Sequence, residues 1–129
     1  MPIINIETVN AISGPTKKAA LKAVHEAAMK ALEIPADACH VRWMEIHEDN
    51  YFCGVDKSDK HVYIEIKLFS GRSLDVKKRL YQFIFQAIND CNLDTQDLMI
   101  ALNEIPKENW GLNGGKPASE ISFNYKINI

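Results

Sequence analysis

Two stretches of this chain carry the same pattern, and that repetition limits its fold more than any other feature. Glu45-Ile46-His47-Glu48-Asp49-Asn50-Tyr51 aligns with Glu104-Ile105-Pro106-Lys107-Glu108-Asn109-Trp110 at an offset of 104 − 45 = 59 residues. Ser13-Gly14 aligns with Ser70-Gly71 at 70 − 13 = 57. Each half reads strand, helix, strand. In the first, Ile4, Ile6 and Thr8 alternate as in a strand, and Ser13-Gly14-Pro15-Thr16 is a helix start with proline in the first turn. Leu21, Val24, Ala28, Ala31 and Leu32 then recur at helical spacing until Glu33-Ile34-Pro35 breaks the helix, and His40 to Ile46 is the return strand, with Val41, Trp43 and Glu45 on one face. A turn-rich segment from Glu48 to Asp59 leads to the second half. There His61 to Leu68 alternates, Ser70-Gly71-Arg72-Ser73 opens a helix striped by Val76, Leu80, Phe83, Ile84, Ala87, Ile88 and Cys91, and Leu98 to Ile105 closes the unit.

A β-α-β unit written twice predicts an α+β fold with a four-stranded mixed sheet and both helices on one face. The other sheet face then needs a cover, which oligomerisation would supply. At 129 residues the chain is one domain, 1–129, with pseudo-repeats at about 2–58 and 60–115 and a C-terminal strand segment at about 116–129. The alternation of Ile121, Phe123 and Tyr125 predicts a short strand that pairs across chains.

Composition excludes more than it names. A net charge of −2 gives no reason to expect nucleic acid or an anionic membrane. No apolar run approaches the ~20 residues of a membrane-crossing helix, and the first residues lack the basic and apolar regions of a signal peptide, so the cytoplasm is the expected compartment. Cys39, Cys53 and Cys91 are odd in number and far apart, which predicts buried or half-buried thiols, not a disulfide framework. The four histidines form no HxxxH or HxH pair, and no metal is expected.

The candidate chemistry lies at the start. The chain opens Met1-Pro2 and enters a strand at once. With Met1 removed, Pro2 becomes a secondary amine fixed at the strand's first position. An α-amine begins near a pKa of about 7.7–8.0 and is a candidate general base. If Met1 stays, the Pro2 nitrogen is an amide with no basic lone pair.

Two further segments carry a resemblance. Leu68-Phe69-Ser70-Gly71-Arg72-Ser73-Leu74-Asp75-Val76-Lys77, and the run from Asn103-Glu104-Ile105-Pro106 through Trp110-Gly111-Leu112-Asn113-Gly114-Gly115, resemble the tautomerase superfamily over nearly the whole chain. The second half is similar to a short 4-oxalocrotonate tautomerase subunit. The whole is similar to the longer fused members, which include cis-3-chloroacrylic acid dehalogenase, malonate semialdehyde decarboxylase and macrophage migration inhibitory factor. That resemblance implies a homotrimer with a macrophage migration inhibitory factor-like fold, no cofactor, Pro2 as base or acid, and Arg72 holding a substrate carboxylate. It implies a keto-enol tautomerase acting on a small 2-oxo acid or its enol, with Phe69 and Trp110 favouring an aryl group. Trp110 falls where the short members place an active-site aromatic; plain core packing is its alternative. Arg72, at the first turn of the second helix, suits the role physically, because backbone N–H groups there favour an anion and a guanidinium grips a carboxylate with two hydrogen bonds. Only the first half can have a terminal amine. It has Pro15 where the second has Arg72, so base and anion clamp are divided between the halves.

The departures narrow the reaction. Where the short members carry a second arginine this chain has Met99, with His40 in the first half; Arg42, two residues on, is a substitute or a surface or interface ion pair. Against the dehalogenase, a loop arginine is Phe69, a tyrosine is Ala101 and a helix histidine is missing, so the groups that activate water are absent. Against the decarboxylase, Asp37 lies near its aspartate, but the arginine paired with Arg72 is replaced by Ser70. Hydratase, dehalogenase or decarboxylase chemistry is the alternative among enzymes. A non-catalytic trimeric binding module is the alternative if Met1 is retained.

Overall fold

A computed structural model describes residues 1–9, 11–55 and 60–129. Strand β1 (Pro2–Val9) runs into helix α1 (Gly14–Leu32) and strand β2 (His40–Ile46); β3 (Val62–Phe69), α2 (Leu74–Asp90) and β4 (Leu98–Ile105) repeat that order. The sheet order is β2-β1-β3-β4. Within each unit the two strands are parallel, and β1 and β3 join the units antiparallel, with Pro2 opposite Leu68 and Thr8 opposite Val62. Asp56, Lys57, Ser58 and Asp59, the end of the turn-rich segment, lie outside the described residues.

Local chemistry places these boundaries. The Ser13 hydroxyl accepts from the Thr16 amide at 3.3 Å, and the Ser73 hydroxyl accepts from the Val76 amide at 3.3 Å, so each helix begins at a serine cap. α1 ends at Glu33, whose left-handed φ of 54° turns the chain before Pro35. The caps correct the repeat register. Ser13 and Ser73 are offset by 73 − 13 = 60 residues, not 57, so Arg72 corresponds to Ile12 and Pro15 to Asp75.

β1 and β3 share one burial pattern along their eight residues, buried and half-buried in alternation with two buried residues at the end. Their inward residues Ile4, Ile6, Ile64, Ile66 and Leu68 are fully buried under the helices. α1 contributes small side chains (Ala20, Ala28, Ala31) and α2 larger ones (Leu80, Ile84, Ile88), which lets the helices pack on each other and on the sheet. The α2 stripe is narrower than its spacing predicts, since Phe83 is 38% exposed. Among the cysteines only Cys53 departs from expectation, being exposed. The opposite sheet face carries Asn5, Arg42, Met44, Glu65, Lys67 and Met99, with Met44 and Met99 about half exposed.

After β4 the chain makes a short hairpin pairing β5 (Gly111–Leu112) with β6 (Lys116–Pro117) through a three-residue turn, Asn113, Gly114 and Gly115, all at positive φ. In the single chain, residues 121–129 have no regular structure and fold back onto their own chain, and the pairing across chains expected of 121–125 needs a second copy. There Phe123 packs on Phe69 and Tyr125 on Phe123 in an aromatic cluster.

Candidate active site

The first residue of β1 and the last of β3 meet at one end of the sheet. Pro2 is fully buried there opposite Leu68, and the next residue, Phe69, leads into the loop that holds Arg72. Arg72 is only 5% exposed. Its Nη1 donates to the Phe69 carbonyl at 3.0 Å, while its Nε and Nη2 are buried with no hydrogen-bond partner among the described residues. A buried, unsatisfied donor costs about 1–3 kcal/mol, more when charged, and an entering anion would remove that cost. Burial lowers the guanidinium from its ordinary value, with Tyr125 and Glu104 opposing, and arginine stays protonated throughout the working range.

The N-terminal amine, here that of Met1, faces the same place. It donates to the Tyr125 hydroxyl at 2.7 Å. Burial first, and the Arg72 cation second, push its pKa down to about 5, with Cys39 opposing weakly. Burial in turn pushes the Cys39 thiol up to about 11, so it is neutral here. Beside the amine lies a hollow of about 210 Å3 walled by Pro35, Asp37, Phe123 and Tyr125. A larger hollow of about 330 Å3 between α1 and α2, lined by Ala27, Lys30, Phe83 and Asp90, includes neither the amine nor Arg72.

Pro2, Arg72, Phe69 and Trp110 are therefore gathered at one end of the sheet, in different roles. Phe69 is fully buried, its ring against Trp110 at 5.3 Å and Phe123 at 5.3 Å. It underlies the site and offers no exposed wall, contrary to its expected contact with substrate. Trp110 is half-buried, donating from Nε1 to the Ile105 carbonyl at 3.2 Å, and packs behind Phe69. Arg42 is not brought to the others within the chain. It projects from the helix-free face and donates from Nε to Asn5 Oδ1 at 2.9 Å, with no ion pair among the described residues. Asp37, noted in the sequence only by its position after α1, does line the hollow. Phe123 and Tyr125 also line the hollow, and Tyr125 reaches the amine across 124 positions, a contact that no local pattern encodes. Among the described residues no group of three His, Cys, Asp or Glu side chains could hold a metal ion.

Proteins of similar sequence and shape are known. The probable tautomerase YusQ of Bacillus subtilis (strain 168) is 24% identical over 122 residues, which cover 90% of this chain and 96% of that protein. Among solved structures, the wild-type fused 4-OT symmetric trimer Q0 superposes with a TM-score of 0.82 at 21% identity, over 91% of this chain and 96% of that one. Pt0534, inactivated by 2-oxo-3-pentynoate, superposes with a TM-score of 0.85 at 18% identity, over 92% and 97%. These likenesses establish the fold: paired β-α-β units under two helices, as in the 4-OT proteins. The family model described as tautomerase enzyme matches residues 41–113, a span that holds Arg42, Phe69, Arg72 and Trp110 but not Pro2. More than half of the chain lies in that match, and with the duplicated fold around it, this chain belongs to the tautomerase family.

Proposed function

We propose that this protein is a keto-enol tautomerase of a small 2-oxo acid or its enol, working as a homotrimer without a cofactor, with Pro2 as base and acid once Met1 is removed. One observation carries the reading: the Met1 α-amine, held down to about 5, lies within electrostatic reach of a buried arginine that has two unsatisfied donors among the described residues, and the Pro2 nitrogen is no more than about 3.6 Å from that amine. The amine is then neutral at pH 7 and free to accept a proton. The guanidinium is desolvated and prepared to accept a carboxylate.

In the ketonising direction Arg72 binds the carboxylate and Pro2 takes the enol hydroxyl proton. The same amine returns a proton to the adjacent carbon, so the O–H bond breaks, a C–H bond forms and the base is restored. A trimer is supported by the uncovered sheet face with its half-exposed Met44 and Met99, and by the trimeric fused 4-OT of the same fold.

The acetylenic 2-oxo acid that inactivates Pt0534 is the natural probe, because a nucleophilic amine adds across its conjugated triple bond. Mass spectrometry of the Met1-free chain treated with 2-oxo-3-pentynoate is expected to find one adduct, on Pro2, reduced at least tenfold by Arg72→Ala. An adduct confined to Cys53, or none, would overturn the reading.

One observation favours a second reaction at the same site. Asp37 lines the hollow beside the amine, as a decarboxylase of this superfamily would require. Ser70 in place of the second arginine weighs against it, and release of carbon dioxide from malonate semialdehyde is the assay that separates the two.

A further inference from the structure

We propose that the Tyr125 hydroxyl is a third catalytic group of this site, donating a hydrogen bond to the substrate oxygen that gains negative charge during proton transfer. The inference rests on the tautomerase reading above and adds a residue that lies outside the span matched by the family model.

Tyr125 belongs to an irregular segment that is nonetheless held in place. Ile127 is 6% exposed, the Ser73 amide donates to the Ile129 backbone oxygen at 2.8 Å, and the Phe123 ring lies 5.6 Å from the Tyr125 ring and 5.3 Å from Phe69. Asn128 closes on Gly71, one residue before Arg72, so that a Cβ at Gly71 would collide with its side chain. The segment thus fastens the phenol to the same loop that carries the guanidinium.

The hydroxyl is 2.7 Å from the Met1 nitrogen. One residue of extended chain spans at most about 3.6 Å, so the Pro2 nitrogen lies no further than that from the atom Tyr125 now binds. Removing Met1 therefore opens a gap between phenol and Pro2 amine that is one residue wide and continuous with the hollow walled by Asp37 and Phe123. A planar enol placed there would meet the amine on one side and the phenol on the other, with Arg72 in electrostatic reach of both.

Charge favours a donor. Burial raises the Tyr125 pKa, Asp37 adds to the rise and Arg72 opposes it, so the phenol keeps its proton at neutral pH while the guanidinium polarises it. No proton leaves the phenol. The enol O–H bond breaks toward Pro2, the enolate oxygen accepts from Tyr125, and the C–H bond forms from the Pro2 ammonium.

The test is Tyr125→Phe in the Met1-free protein, which keeps the ring and removes only the hydroxyl, assayed by ketonisation of enol phenylpyruvate. Loss of one such donor is expected to lower kcat by about 100-fold. KM should stay within about twofold, since Arg72 still holds the carboxylate, and the melting temperature should be unchanged. An unchanged kcat beside an active wild type would overturn this inference alone. So would a kcat that falls only in step with a lowered melting temperature, which would make the hydroxyl structural. An inactive Met1-free wild type would overturn the tautomerase reading itself, and this inference with it.

Discussion

Where β1 ends, Trp43 donates to Thr8 Oγ1 at 3.1 Å, His61 Nε2 lies 2.8 Å from Glu7 Oε2, and Tyr51 leans on the His61 ring at 4.6 Å. Where β3 ends, at the corresponding point of the second unit, Trp110 leans on Phe69 and a buried arginine faces an amine. The scaffold at the two ends is the same. Lys17 pairs with Glu45 in the first unit and Lys77 with Glu104 in the second, bracing each helix start against the strand that follows it. The contents differ because the duplicate strand starts are not chemically equal: Pro2 can carry a free amine, whereas Val62 is internal and its nitrogen is an amide. Duplication supplied a doubled frame, and asymmetry at one end of it gathers the groups proposed for the chemistry.

The largest effect expected from this contrast is at Arg72. Arg72→Ala should lower kcat/KM for a 2-oxo acid enol by about 1.5–3 kcal/mol, the worth of a charge-assisted contact, which is roughly 10- to 150-fold. Its counterpart Ile12→Ala should leave kcat/KM within about twofold. Because Arg72 also satisfies the Phe69 carbonyl, Arg72→Lys serves as a folded control and should recover only part of the loss. Equal losses at positions 72 and 12 would mean that the two ends are not functionally distinct.

A smaller difference is expected between Gly71 and Gly14. Gly71 has φ of 129° and packs against Asn128, while Gly14 starts α1 with open space around it. Gly71→Ala should cost about 1–3 kcal/mol of stability. Gly14→Ala should be neutral or slightly stabilising, since alanine is the better helix former. Chemical denaturation at fixed protein concentration reads both.

A further effect is a pH dependence of the Met1-bearing chain. Its amine has a folded pKa of about 5 against an ordinary 8.0, so the unfolded state binds the extra proton between those values. The stability this contributes is fully present above pH 8 and is lost as pH falls toward 5. Acetylating the amine should remove that part of the slope in denaturation curves taken at pH 8, 6.5 and 5. An unchanged slope would place the amine in solvent.

Much of the frame was legible in the sequence because it is written locally. Serine caps, the Pro35 break and the alternation of Ile4, Ile6, Ile64 and Ile66 each act within a few residues, and β2 and β4 fall where their patterns place them. The repeat register was misread for an equally local reason. Ser70-Gly71 imitates Ser13-Gly14, but Gly71 at positive φ is still in the loop and Ser73 is the cap. Pro2 and Arg72 are proposed from chain position and motif. Tyr125 is not legible that way, since it meets the amine through contacts with the other end of the chain, and the depth of Phe69 is set by the fold and not by its neighbours in sequence.

The division of labour between the halves is tested most directly by comparing the same protein with and without Met1 in ketonisation of enol phenylpyruvate. An amine displaced by one residue lies up to about 3.6 Å from its place at Pro2, and proton transfer requires hydrogen-bond reach. The Met1-free protein should be active and the Met1-retaining protein, folded and of the same oligomeric state, should fall to the uncatalysed background. Equal activity of the two would contradict the account and remove Pro2 as the base.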